Sequence, residues 1–445
     1  EAVMVYTDQG LNCLSQTFHR LYQKRLARGY WRDRERPILI NNWEATYFDF
    51  NEEKILSIAR RAKECGVDLF VLDDGWFGQR NGEHAGLGDW FVNREKLPDG
   101  IAGLSEKIEE MGMMFGLWFE PEMVNMDSDL YREHPDWIIQ TPGRRSSHGR
   151  FQYVLDFSRK EVVDRIYEMM EKILSDAKIS YVKWDMNRSI TECYSSALPP
   201  DRQGEVYHRY ILGVYDLYER LTSRFPHVLF ESCASGGGRF DPGLLYYAPQ
   251  GWTSDDTDAV ERLKIQYGTS YCYPVSSMGS HVSVTPNHQL NRNTPLYTRA
   301  NVAYFGTFGY ELDLNRLTGE ELEEVKEQVR FMKKYRRLIQ YGTFYRLQSP
   351  FENNVAGWMV VSSDRREALV GRYKILNGTN QPFERMYLKG LDEGTKYLVN
   401  GNETHYGDEL MHCGLVTTDA SAGETAPGEK MSCDFDSELY VIEAV

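Results

Sequence analysis

Short, β-rich apolar runs alternate with amphipathic stretches along most of this chain. From Pro37 onward the runs are PILINNW, LFVLDDGW, MFGLWFEPE, YVKWD, VLFESCAS, GWTSDD, YCYPVSS and AYFGTFGYELD. Among them, apolar residues recur at helical spacing over 52–65, 102–111, 160–176, 206–224, 257–267 and 318–337. This βα alternation predicts a (β/α)8 barrel over residues 37–340. A doubly wound sheet alternates in the same way, but its dinucleotide-binding versions carry a glycine fingerprint after the first strand, and none is present. Ahead of the barrel, residues 1–36 read as a connector: a strand end, a turn at Asp8–Gly10, and a helix carrying Leu11, Leu14, Phe18 and Leu21 at helical spacing. Beyond it, residues 341–445 change to short alternating segments such as AGWMVVSS, EALVGRYKIL and ELYVIEA, broken by Gly, Asn and Pro, which predicts a small antiparallel β-sandwich domain. TTDASAGETAPGE, residues 417–429, reads as a loop within it.

The polar residues of the barrel segment gather at the C-terminal ends of the predicted strands, where a barrel keeps its active site. They include Asp73 and Asp74, Glu120 and Glu122, Asp185, Glu231, and the cluster Asp255, Asp256 and Asp258. One strand-end acid can be a helix N-cap. Five strands ending in acids need another explanation, although Asp258 fits a cap for the helix after it.

Asp185 is flanked at period two by Lys183 and Asn187, which places the three on one side of an extended strand. Lys183 can hold the carboxylate ionised, as a nucleophile requires, and Asn187 can add a neutral hydrogen bond. In TSDDTD the crowding is of like charge, so one acid there should resist ionisation and suit proton donation. Trp43, Trp76, Trp118, Trp184 and Trp252 all lie beside strand ends. Each alone is at home in a core, but tryptophans with acids around a barrel mouth favour a carbohydrate ligand. The glycine-rich SCASGGGR, residues 232–239, lacks the ending of a phosphate loop and reads as a tight turn that lets the backbone approach a ligand.

Composition narrows the partners. The net charge is −15 and the pI about 5.3, which leaves no basic field for nucleic acid. The one basic stretch, from His19 to Pro37, reads as a solvated helix face or an inter-domain contact. No apolar run approaches the roughly 18 residues of a membrane span. The seven cysteines are scattered without CxxC spacing, and His281 and His288 have no matching ligand pair nearby, so no disulfide framework, no metal and no cofactor are expected, and a cytoplasmic location is. The chain opens on Glu1 without a signal peptide, which suggests a piece of something longer.

Taken together, NNWEATYFDF, LFVLDDGWFG, GLWFEPEMVN, YVKWDMNR, LFESCASGGGRFD and WTSDDTDAVERLKIQYGTS closely resemble the bacterial α-galactosidases of glycoside hydrolase family 36. The resemblance covers about residues 1–340, and the β-rich tail fits the family's C-terminal domain. It implies exo-hydrolysis of terminal α-galactosyl residues from melibiose- and raffinose-type oligosaccharides, by double displacement with retention. By motif position, Asp185 is then the nucleophile and Asp255 the acid/base. Asp73 and Asp74 would take the galactose 4- and 6-hydroxyls, with Lys183, Asn187 and Arg150 as further sugar contacts. Trp118 and Cys233 would lie near the 2-hydroxyl, with Gly236 in the same turn, and Trp43 at the pocket edge. Asp256 stands where many relatives have Asn, adding a charge beside the acid/base. The resemblance also implies a homo-oligomer for the full-length chain and a large N-terminal β-sandwich domain that this sequence does not contain. An α-N-acetylgalactosaminidase or a raffinose-synthase-like transferase would share the covalent intermediate. A sugar-binding module without activity is a third reading, and the presence of both aspartates speaks against it.

Overall fold

In the computed structural model, residues 2–379, 383–417 and 433–445 are described, so nearly all of the segment expected as a loop over 417–429 lies outside the described residues. The predicted barrel is present. Among the described residues its strands are β1 (Leu39–Asn41), β2 (Leu69–Leu72), β3 (Met114–Phe119), β4 (Tyr181–Trp184), β5 (Leu229–Ser232), β6 (Gln250–Trp252), β7 (Met278–Ser283) and β8 (Thr307–Glu311). Each lies beside the next and β8 closes on β1. From β1 to β6 the pairs are parallel, where register is given, with Leu39 opposite Leu69, Gly116 opposite Tyr181, and Lys183 opposite Glu231. These strands are buried at every position or nearly so, as parallel strands covered by helices must be, and their sequences are accordingly almost continuous in Leu, Ile, Val and Phe.

Two compact units can be distinguished. Leu26–Asp255 with Tyr310–Leu322 holds β1 to β6 and the end of β8. The other unit comprises Glu1–Arg25, Asp256–Gly309 and Glu323–Val445. In that second unit, Thr343–Gln348, Val355–Val361, Glu367–Lys374, Asp436–Ala444, Lys396–Val399 and Glu403–Tyr406 form, in that spatial order, one antiparallel sheet among the described residues. A short ladder, Arg385–Met386 with Leu415–Val416, supplies Met386 and Leu415 to the core of Met359, Val370, Tyr397 and Ile442. The expected all-β architecture at the C-terminal end is therefore found.

Two local expectations fail for physical reasons. YCYPVSS was expected as the seventh strand, but Val275–Ser277 is a helical turn and the strand is the following MGSHVS. That strand carries Gly279, Ser280, His281 and Ser283, all buried, so its polarity hid it. The N-terminal helix runs Gly10–Leu21 as predicted, yet the residues it buries are Ser15 and His19, while Leu11 and Leu21 are exposed. Polar contacts fix it instead. His19 Nε2 meets the Ser270 carbonyl at 2.8 Å, and Arg346 donates to Ser15 Oγ and to the Leu11 carbonyl. Burial, followed by the Arg346 charge, lowers the His19 pKa to about 4, so the ring stays neutral where an exposed histidine would begin to charge. Among the described residues, no helix is long and apolar enough to cross a membrane.

One close approach tests the packing around the barrel. Gly213 lies in the helix Val206–Arg224, and a Cβ there would fall 2.0 Å from the carbonyl oxygen of Phe157. Gly268, in the helix Ala259–Thr269, faces open space. Alanine favours both helices by about 1 kcal/mol, so the two substitutions should part in sign. In denaturant titrations Gly268→Ala is expected to hold or raise the midpoint, and Gly213→Ala to cost about 1–3 kcal/mol of stability.

Candidate active site

The strand-end polar residues converge within one unit, Leu26–Asp255 with Tyr310–Leu322. Asn41 ends β1, Asp73 and Asp74 follow β2, Glu120 follows β3, Asp185 follows β4, Cys233 follows β5, and Glu311 ends β8. Asp255 lies three residues beyond β6. In the register of the barrel, Trp118 sits opposite Lys183 and Phe119 opposite Trp184, which carries the indole of β3 to the end of β4.

Asp185 is buried and ringed by N–H donors. Trp118 Nε1 lies 3.2 Å and Asn187 Nδ2 2.8 Å from its Oδ2, and the Met186 backbone N–H lies 2.9 Å from its Oδ1. Asn187 therefore stands where period two places it. Lys183 does not contact Asp185 as expected: its Nζ donates to Asp73 Oδ2 at 2.9 Å, where Asn41 Nδ2 also donates at 2.6 Å. Period two still aims it at the same interior, and its target is the acid of β2. Burial opposes the Lys183 charge, but Asp73, Glu311 and Asp185 outweigh it, and its pKa stands well above the ordinary lysine value.

Asp255 accepts from Trp252 Nε1 at 3.0 Å and opens toward solvent at the barrel mouth. Surrounding protein displaces much of its hydration. That desolvation, then the negative charge of Asp185, push its pKa up to about 6. The crowding expected within the cluster acts on Asp256, which feels the Asp258 charge, while for Asp255 the charge that counts most comes from Asp185. Asp256 has its own neighbours: burial raises its carboxyl, the Asp258 backbone N–H donates to it at 3.0 Å, and Asp258, Glu261 and Arg262 are the charges it feels. Asp258 caps the helix Ala259–Thr269, accepting from the N–H groups of Val260 and Glu261. Adjacent in sequence, Asp255 and Asp256 thus have separate environments.

Gly236 makes a close backbone approach within the protein itself. Its φ is 80° and a Cβ would lie 2.4 Å from Ser254 Cα and 2.7 Å from the Asp255 nitrogen. The chain it admits is the segment bearing Asp255, to which it is tied by a bridge with Ser254. Its N–H also points at Cys233 Sγ, 3.4 Å away. Burial, then Asp185 and Asp255, push the Cys233 thiol pKa well up, so the sulfur faces the pit as an uncharged thiol.

Asp74 is gripped by Arg80, with Nε 3.0 Å from Oδ1 and Nη2 2.8 Å from Oδ2. Arg150 is half-buried, pairs with Glu83 at 2.9 Å, and has φ 51°, in the left-handed region. Glu120 and Asp185 are among the charges that act on it. Trp43 opens the short helix Trp43–Thr46, half-buried and edge-on to the rings of Tyr47 and Phe48. Trp76, Trp184 and Trp252 are core residues, as any single tryptophan was more apt to be. Glu122 is structural: Arg239, Trp184 and Tyr210 all bond to it. Sequence reasoning passed over Arg80, Glu311 and the exchange in which Asn42 Oδ1 takes the Asp73 N–H at 2.8 Å. The doubled amide of NNW at a strand end was a usable signal, whereas Arg80, in a loop of Gly, Gln and Asn, offered none. Among the described residues, no cluster of three His, Cys, Asp or Glu could hold a metal.

A closed barrel with acids gathered at its strand ends and indoles beside them is the architecture of a barrel enzyme. The melibiase family model matches residues 1–342, and the model of the glycosyl hydrolase family 36 C-terminal domain matches residues 355–442. The chain belongs to the melibiase family. It is 61% identical over 445 residues to alpha-galactosidase AgaA of Geobacillus stearothermophilus, covering 100% of this chain and 60% of that protein. It is 52% identical to alpha-galactosidase Mel36A of Lactobacillus acidophilus, covering 100% of this chain and 59% of that protein. The crystal structure of AgaA superposes with a TM-score of 0.96 at 58% identity, over 99% of this chain and 60% of that one. A doubly substituted form of the same enzyme in complex with raffinose gives 0.95 at 57% identity, with the same coverage.

The difference between Asp255 and Asp256 can be read directly. Carbon-detected NMR titration should find the Asp255 carboxyl titrating near pH 6. In Asp185→Asn a neighbouring negative charge is gone, so that midpoint should fall toward the ordinary aspartate value, while Asp256 stays where it was.

Proposed function

We propose that this chain carries the active site of a retaining exo-α-galactosidase acting on oligosaccharides of the melibiose and raffinose type. The reading rests on one arrangement: an acid held by neutral N–H donors, Asp185, lies within electrostatic reach of an acid, Asp255, whose proton affinity that first charge raises. The relatives' names and the raffinose complex of one of them support the substrate class.

In the first displacement an Asp185 oxygen bonds to the anomeric carbon as the bond from that carbon to the aglycone oxygen breaks, and Asp255 gives its proton to the departing oxygen. The ester leaves Asp185 uncharged. Asp255 then loses the repulsion that raised it, becomes a better anion, and takes a proton from the water that attacks the anomeric carbon and releases Asp185. Asp73 and Asp74 offer acceptors to the 4- and 6-hydroxyls, each already oriented by a cation, Lys183 and Arg80. Lys183, Asn187 and Arg150 supply donors, Trp118 and Cys233 flank the 2-hydroxyl, Gly236 holds the segment of Asp255 in place, and Trp43 borders the opening. The proposal extends to a cytoplasmic homo-oligomer of the full-length protein, tested by light scattering and cell fractionation.

Proton NMR of the first product on a melibiose-type substrate is expected to show α-galactose before mutarotation; β-galactose first would sink the retaining assignment. Asp185→Ala should abolish turnover on every substrate. Asp255→Ala should cost about 10²–10⁴-fold on raffinose and far less on an aryl galactoside whose leaving group needs no proton. Because the acid must be protonated in the free enzyme, kcat/KM should fall as pH rises through about 6.

A further inference from the structure

Glu120 stands directly after β3 with 0% exposure, and no role has been given to it. Both groups that meet its carboxyl are neutral: the Asn187 backbone N–H donates to Oε1, and the Gln152 side-chain amide lies 3.0 Å from Oε2, where, with the amide turned over, its otherwise unpartnered oxygen accepts the O–H of a protonated Glu120. The charged groups that face it are Asp185 and Asp74 on one side of the balance and Arg80 and Arg150 on the other. Both arginines are committed elsewhere, Arg80 to Asp74 by a two-point contact and Arg150 to Glu83. An ionised Glu120 would thus be a buried anion without its own cation, beside another anion. Asn187 gives the contact its meaning. Its backbone N–H goes to Glu120, its Nδ2 to Asp185 at 2.8 Å, and its Oδ1 receives the Ser235 hydroxyl at 3.0 Å. The residue that grips Asp185 is itself anchored by Glu120.

We propose that Glu120 is a positioning residue held as a neutral carboxylic acid, anchoring Asn187 and hence the carboxylate of Asp185 without setting a second negative charge beside it. Burial first, and the Asp185 charge next, push its pKa up to about 8, so it keeps its proton at neutral pH. Its proton affinity is tied to the charge on Asp185: once that charge is lost, Glu120 ionises more readily. The effect on turnover rests on Asp185 as nucleophile; the protonation state does not.

Two readouts separate these parts. An infrared difference spectrum of the wild-type protein minus Glu120→Gln should show the C=O stretch of a protonated carboxyl at neutral pH, titrating away near pH 8, with a lower midpoint in an Asp185→Asn background. In the intact protein, Glu120→Ala should lower kcat by about 10²-fold, as small misplacements of reacting groups do, with KM held within about threefold. Glu120→Gln should recover most of that loss, since its amide oxygen still accepts from Asn187. A carboxylate spectrum already at pH 6, an unmoved midpoint in Asp185→Asn, or equal losses in the Ala and Gln variants would overturn the proposal. If Asp185→Ala retains turnover, the nucleophile assignment fails while the infrared result stands by itself.

Discussion

Carboxyl groups at the ends of neighbouring barrel strands repel one another, and burial makes the repulsion expensive to leave unanswered. The polar architecture of the mouth is a set of answers to it. Asp73 is met by Lys183, Asp74 by Arg80, and Glu122 by Arg239, each a cation aimed from another strand or loop. Asp255 feels the Asp185 charge across the barrel mouth, Glu120 meets neutral groups in its hydrogen bonds, and both hold a proton more tightly than an ordinary carboxyl. Asp185 is treated differently again: it accepts from the neutral N–H groups of Trp118, Asn187 and Met186 and is met by the Cys233 thiol, groups that can hold an anion without neutralising it.

These answers are coupled, because Asp185 is a cause of the raised proton affinity on both Asp255 and Glu120. Any change in the Asp185 charge is therefore felt as a change in the proton affinity of both neighbours. That suits a scaffold whose strands are buried along their length and whose loops are tied by backbone contacts, such as Gly236 against Ser254. Lys96 adds to the rigidity by donating to the carbonyls of Phe48, Gly75 and Arg80 behind the Asp74 pair.

How much of this was legible depended on whether the signal was local. A strand such as LFVL announces itself, since a parallel strand covered on both faces is mostly apolar. MGSHVS did not, because it packs small hydroxyl side chains in the barrel wall. The N-terminal helix was legible as a helix from its spacing, but not its buried face, because Ser15 and His19 are held by hydrogen bonds that no periodicity encodes.

By itself the sequence determined the alternation that closes a barrel, the acids at its strand ends, the period-two relation of Asp185 and Asn187, and the N-cap at Asp258. All follow from backbone geometry within a few residues. Only the tertiary structure decided which acid meets which charge. It gave Lys183 to Asp73, turned Asp255 toward Asp185 and Asp256 toward its own helix, and paired the arginines nearest Glu120 with Asp74 and Glu83. Electrostatic energy depends on distance through space and on burial, and residues far apart in sequence acquire both only when the barrel closes.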